Sequence, residues 1–176
     1  FRTRVSVEGL SDLLCGEFRP GHFQGVATVV LKLLEAARPH RLYLGEKDFQ
    51  QLTLLRRMVL DLGVPVEVVG CPTIREDDGL ALSSRNAYLS DEERAAAPGL
   101  YRALCAGARS ARAPRASPAS VLRAARAVLA RIPGARVEYL SLVEPRTLSA
   151  ARRLRGRLRL LAAVRLGRTR LIDNVP

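Results

Sequence analysis

Arg41-Leu42-Tyr43-Leu44-Gly45-Glu46-Lys47-Asp48-Phe49-Gln50-Gln51 is the stretch whose reading decides the fold. Arg41 to Leu44 reads as a short buried strand. After it, Leu52, Leu55, Met58, Val59 and Leu62 recur at helical spacing. Gly45 to Gln51 is therefore a strand-to-helix turn in an α/β unit. In open α/β sheets, ligands bind outside the carboxyl ends of the strands, where this turn lies. Free N–H groups and the positive end of the helix dipole favour an anion there, and Lys47 adds a full positive charge. The turn also has a purely structural reading. Asp48 and Gln51 have the spacing of a helix N-cap and its capping-box partner, and Lys47 reads equally as a solvated loop residue. From the turn alone both readings stand. The chain has only two lysines, Lys32 and Lys47, against 27 arginines, so a lysine at a helix start is noticeable.

Composition narrows the class. A chain of 176 residues, 48% hydrophobic, allows one or two small domains with a buried core. No apolar run reaches membrane-spanning length and no signal peptide is visible. Cys15, Cys71 and Cys105 are odd in number and widely spaced, which fits reduced cytosolic thiols better than disulfides or zinc. No motif gives them a reactive role.

The rest of the chain alternates strands and helices before changing character. Phe1 to Val7 alternates like a strand, and Leu10 to Leu14 reads as a short helical turn. Gly16 to Gly21 is a loop. Val26, Val29, Val30, Leu33, Leu34 and Ala37 mark one face of a helix that Pro39 ends. His22 at its start is read as structural, the alternative being a lining of the passage for an incoming substrate. Gly63 closes the central helix, and Val64 to Val69 is the next buried strand. Pro72 to Tyr88 is a long loop rich in Gly, Asp, Ser and Arg, of the kind that is functional or mobile. Ser90 to Glu93 is a capping box, and Pro98 breaks or kinks the helix it opens. Ser117 and Pro118 start another helix reaching Ile132. Val137 to Leu142 is a strand, and Arg157 to Leu166 with Thr169 to Val175 is a hairpin turned at Gly167. The expected architecture is α/β: an incomplete Rossmann-like nucleotide-binding domain with a parallel sheet over residues 1–89, then a small α+β domain over 90–176.

Charge divides unevenly along the chain. Residues 1–101 hold 12 basic and 14 acidic side chains; residues 102–176 hold 17 and 3. The excess could mark a nucleic-acid surface, with Arg152 to Arg159 as its densest run. Only Tyr139 offers an aromatic ring beyond residue 101, and no nucleic-acid motif is present, so nucleic acid is not the expected partner.

Three segments carry a resemblance. They are Arg19-Pro20-Gly21-His22-Phe23-Gln24-Gly25, Gly45-Glu46-Lys47-Asp48-Phe49-Gln50-Gln51, and Pro72 to Asn86 with its Gly79-Leu80-Ala81-Leu82-Ser83-Ser84-Arg85-Asn86. Together with Thr169-Arg170-Leu171-Ile172-Asp173-Asn174 they resemble the pantoate–β-alanine ligase family. The resemblance implies a cytoplasmic, ATP-dependent, AMP-forming ligase of the coenzyme A pathway. It would join pantoate to β-alanine through pantoyl adenylate. It implies ATP contacts from Gly45, Glu46, Lys47, Asp48, Ile74, Leu82, Ser83, Ser84 and Arg85, with Lys47 catalytic and Gln51 holding pantoate. Mg²⁺ would ride mainly on the ATP phosphates; Asp77 and Asp78 are read as solvated acids and no protein metal site is expected. It implies a homodimer in the complete enzyme, without membrane. The family's His-x-x-His element has no counterpart here, so the chain reads as the C-terminal part of the enzyme, inactive alone. Two alternatives remain: another adenylating enzyme of the superfamily, or a non-catalytic basic binding module derived from it.

Overall fold

A computed structural model describes residues 1–176. The chain divides into two compact units, residues 1–72 with 146–148, and residues 73–145 with 149–176. The break thus falls at Thr73, whereas the sequence placed a boundary near Ser90. The reason is that the loop after residue 72 is tied into the second unit. Arg75 pairs with Asp173, and Arg94 donates to Asp78.

In the first unit, α1 (Cys15–Phe18), α2 (His22–Ala37), β1 (Arg41–Gly45), α3 (Phe49–Asp61) and β2 (Glu67–Cys71) follow in order. β1 and β2 are parallel, with Arg41 opposite Glu67 and Gly45 opposite Cys71. The helix α3 carries the core. Leu52, Leu54, Leu55 and Met58 are almost completely buried, while Leu62, expected on the same face, is the exposed residue that caps the helix at its C-terminal end. β1 is not the buried strand expected. Its residues alternate exposed and half-buried, as a strand packed by α3 on one face does. β2 begins later than expected because Val64 N–H is taken by Val59 O and Val66 N–H by Val64 O. Pairing with β1 starts only at Glu67, and Pro65 has no N–H to extend it.

Phe1 to Val7 forms no strand; the Val5 N–H donates to Thr28 Oγ1 on α2 instead of to another strand. Residues 10–14 are turn and bend, and the first helical turn, α1, begins after them at Cys15 and runs into the segment read as loop. In α2 the buried residues are Phe23, Ala27 and Leu34, and Val29 and Leu33 are more than half exposed. The stripe chosen from the sequence was therefore rotated away from the face that meets α3.

Gln50 holds the entry to this unit. Its Oε1 accepts the Cys15 N–H at 3.0 Å, and its Nε2 donates to Leu10 O at 2.9 Å and Leu13 O at 2.7 Å. Leu14, bracketed by two of these bonds, has φ +51°, a strained conformation for a bulky residue. The amide on α3 thus supplies the partners that this kinked segment cannot find in regular structure.

The second unit holds α4 (Asp91–Ala96), α5 (Gly99–Ser110), α6 (Pro118–Leu129), β3 (Ala135–Val143), β4 (Arg159–Leu166) and β5 (Thr169–Val175). The three strands form an antiparallel sheet in the order β3-β4-β5. Its core joins Leu100, Leu104, Val121 and Leu129 of the helices to Leu160, Val164 and Leu166 of β4. Local signals were read correctly. Ser90 and Glu93 form a reciprocal capping box, Pro98 separates α4 from α5, and Ser117 caps α6 with Pro118 behind it. In the arginine-rich run, Leu154 and Leu158 pack on the core while Arg152, Arg153, Arg155 and Arg157 are exposed. Arg165 and Arg170 donate to the two oxygens of buried Glu138 at 2.7 and 2.6 Å.

Replacing Gln50 with leucine removes these bonds from the Cys15 N–H, Leu10 O and Leu13 O, of which Leu13 O keeps the Gly16 N–H. Gln50→Leu is expected to lower stability by about 1–3 kcal/mol, the scale for unsatisfied buried polar groups. Denaturant unfolding measures it, and unchanged stability would remove Gln50 from this role.

Candidate active site

The expected site residues fall in both units, and each group is described within its own. In the first unit, Gly45 ends β1 and Glu46–Asp48 forms a single 3-10 turn leading into α3. Gly45 has φ −66°, which any residue adopts. A Cβ there would meet no atom within 4 Å. Neither backbone conformation nor packing within this chain requires glycine at that position. A residue lacking a side chain there leaves the strand end open to close approach from outside.

Lys47 has 16% of its side chain exposed, and its Nζ stands 3.7 Å from Asp48 Oδ2. That ion pair bears on the capping reading. Asp48 has φ −90° and ψ 56°, away from the extended conformation an N-cap adopts, and its side chain makes no capping bond. The Asp48–Gln51 capping box is therefore not formed. Gln51 is half-buried, next to the wholly committed Gln50. The sequence showed two adjacent glutamines but not which was structural. Adjacent positions on a helix point about 100° apart, and only packing decides which faces in.

His22 starts α2 without capping it. Its Nε2 accepts from Arg19 Nη1 at 2.9 Å, and its ring lies 4.9 Å from that of Phe23.

In the second unit, Arg75 and Ala81 form an antiparallel bridge, and Leu82 N–H donates to Ile74 O at 2.9 Å. Ile74 and Leu82, 71% and 55% exposed, thus sit side by side at the open end of a small hairpin. Ser84–Tyr88 is a 3-10 turn capped by Ser83, whose Oγ accepts the Arg85 N–H at 3.2 Å. That bond uses a lone pair and leaves the Ser83 hydroxyl proton free to be donated. Ser84 and Arg85 are exposed. Asn86 Nδ2 donates to Ala81 O at 3.2 Å, tying the turn to the hairpin, while its buried Oδ1 has no partner.

Asp77 is exposed, and Asp78 accepts from Arg94 and from Leu80 N–H. No group of three His, Cys, Asp or Glu side chains is placed to hold a metal ion. That donor set does not fit a protein-held Mg²⁺. The three cysteines are free thiols, and no helix is long and apolar enough to cross a membrane.

A lysine turn at the carboxyl end of a parallel strand, and a Ser-Ser-Arg turn beside a separate hairpin, define the class: an α/β protein with a basic polar turn in each unit. A family model described as pantoate-beta-alanine ligase matches residues 1–176, and the chain belongs to that family. It is 54% identical over 174 residues to the pantothenate synthetase of Mycolicibacterium smegmatis, covering 99% of this chain and 54% of that protein. The crystal structure of pantothenate synthetase from Thermus thermophilus superposes with a TM-score of 0.96 at 53% identity, over 99% of this chain and 63% of that one. A pantoate-beta-alanine ligase from Francisella tularensis, solved in complex with beta-gamma ATP and beta-alanine, matches at 32% identity with a TM-score of 0.72. That match covers 98% of this chain and 57% of the other. The chain thus spans between about half and two thirds of these relatives' length.

The Arg94 guanidinium, then the Leu80 N–H, hold the Asp78 carboxyl below its ordinary range. A lowered folded value means that the pair's contribution is complete above the ordinary carboxylate pKa. It is lost as pH falls through the lowered value. Arg94→Ala is expected to move the Asp78 titration upward toward the ordinary range, followed by carboxyl NMR. An unmoved titration would place the cause elsewhere.

Proposed function

We propose that this chain carries the ATP- and pantoate-handling loops of a ligase that condenses pantoate with β-alanine. Pantoate's carboxylate attacks the α-phosphorus of ATP and pyrophosphate leaves. The β-alanine amine then attacks the acyl carbon of pantoyl adenylate, and AMP leaves. The observation that carries this reading is the family match along the whole chain. The Francisella relative, whose complex contains a nucleotide and β-alanine, supports the substrate class.

The residue roles follow from chemistry. Adenylation gathers negative charge on phosphoryl oxygens, and fixed cations and N–H donors at those oxygens lower its barrier. Lys47 is the catalytic cation, a compact charge held at the start of α3. Gly45 leaves room for the nucleotide against the backbone; Glu46 and Asp48 complete that segment, with Asp48 holding Lys47. The backbone at Ile74 meets adenine. Leu82, Ser83, Ser84 and Arg85 serve the phosphates, the serines as hydroxyl donors and Arg85 as a forked cation. Mg²⁺, brought on the triphosphate, adds charge neutralisation there. Gln51 donates its amide to pantoate, and the missing capping bond of Asp48 supports this over the structural alternative. By family, the complete protein is read as a cytoplasmic homodimer.

The test is AMP release that depends on both pantoate and β-alanine, in the native polypeptide that carries this chain. Release without pantoate would point to a different adenylating enzyme, and no nucleotide affinity at all to a binding module. In that assay Lys47→Ala is expected to slow turnover by roughly 10²–10³-fold, the scale of one lost electrostatic stabiliser. A fall in melting temperature with normal turnover would make the lysine structural.

Gln51→Glu replaces an amide donor by a carboxylate that repels pantoate's own. Its apparent pantoate affinity is expected to fall while ATP affinity stays normal. Unchanged pantoate saturation would remove Gln51 from the site.

A further inference from the structure

Arg75 belongs to none of the proposed substrate contacts, yet it is the most connected side chain of the hairpin that presents Ile74 and Leu82. Its Nη1 donates to Asp173 Oδ2 at 2.7 Å and to Gly79 O at 3.0 Å, and its Nη2 donates to Asp173 Oδ1 at 2.9 Å. The guanidinium lies over the Tyr101 ring, 3.7 Å from its centre. Three different surfaces therefore hold one flat group: a carboxylate edge, an aromatic face and a loop carbonyl.

Each surface is itself fixed. Asp173 lies in β5 with 2% of its side chain exposed, and its Oδ1 also takes the Asn174 N–H at 2.7 Å. Tyr101 is on α5 and packs against the core of the unit. Gly79 has φ +92°, and a Cβ there would stand 2.6 Å from Tyr101 Cδ1, so the loop rests against the ring. Burial works against the Arg75 charge, but the Asp173 carboxylate outweighs it and its pKa is raised. Exposed ion pairs of this kind contribute little, whereas removing one partner of a buried pair leaves a charge uncompensated. Only arginine presents the planar fork that fits a carboxylate edge and stacks on a ring together.

Within the hairpin, Glu76 N–H donates to Leu80 O and Gly79 N–H to Glu76 O, both at 2.8 Å, and outside it Arg94 of α4 holds Asp78 and Asn86 Nδ2 holds Ala81 O. None of these bonds fastens it to the sheet. The Arg75–Asp173 pair does, across 98 residues of sequence.

We propose that Arg75, clamped by Asp173 and Tyr101, is a positioning residue that sets the Ile74–Leu82 hairpin for an adenine nucleotide. It acts through the backbone at Ile74 and Leu82 without touching the nucleotide. The inference rests on the nucleotide reading of those residues given above.

The test compares the full chain with Arg75→Lys and Asp173→Asn. ATP affinity is read by calorimetry, and amide hydrogen exchange is read at Glu76, Gly79 and Leu82, with Val121 and Ala125 of α6 as controls. Arg75→Lys keeps a charge for the buried carboxylate, so it carries the test if Asp173→Asn does not fold. In Arg75→Lys the hairpin amides are expected to exchange at least tenfold faster, with the α6 amides unchanged. ATP affinity is expected to fall roughly ten- to a hundredfold, as a small displacement of a binding element does. ATP bound equally by Arg75→Lys and the unsubstituted chain would overturn the positioning role and leave the nucleotide reading intact. Loss of protection at Val121 and Ala125 as well would make the pair a general stabiliser and also overturn it. Absence of ATP binding in every form would overturn the nucleotide reading, and this inference with it.

Discussion

The carboxylate of Asp173 is almost wholly removed from water, and a buried charge of that kind needs a partner with matching geometry. Arg75 is that partner, and meeting the need fastens a long polar loop to the last strand. It is why the segment after residue 72 belongs to the second unit and not to the parallel strands that precede it in sequence. Once Arg75 is held, Gly79 is pressed against Tyr101, the hairpin closes, and Ile74 and Leu82 face outward. Glu138 repeats the principle with Arg165 and Arg170 on the same sheet. Part of the strong positive charge of residues 102–176 is thus engaged in neutralising buried acids, while Arg152, Arg153, Arg155 and Arg157 lie in water.

The first unit solves the same problem with a neutral group. Gln50 satisfies three backbone groups of the Leu10–Cys15 segment, where the strained Leu14 prevents regular hydrogen bonding. The residue beside it is left available. Of the two glutamines, Gln50 fastens the helix start to the fold and Gln51 is half-buried beside it. Asp48, released from capping, stands beside Lys47.

Much of the fold was legible because its determinants are local. The 3.6-residue spacing of Leu52, Leu55, Met58 and Val59 made α3 visible. Ser90 with Glu93, Ser117 with Pro118, and Pro98 marked helix boundaries through groups three or fewer residues apart. The parallel pairing of β1 and β2 followed from a strand–helix–strand order. The same local logic misled where bonds leave the neighbourhood. Phe1 to Val7 alternates like a strand, but its bonding goes to Thr28; α2 carries enough apolar residues to suggest two faces, and packing on α3 chose the one with Phe23, Ala27 and Leu34.

By itself, the sequence determined the element order from α2 onward, most helix starts and the motif residues that carry the family resemblance. Only the tertiary structure decided which of two adjacent glutamines is structural, that Asp48 caps nothing, and that Asp173 and Arg75 are partners. Spacing along a chain encodes periodicity and capping, which act over one or two turns. It does not encode which buried polar atoms will meet, because those pairings are settled by how already-formed elements pack.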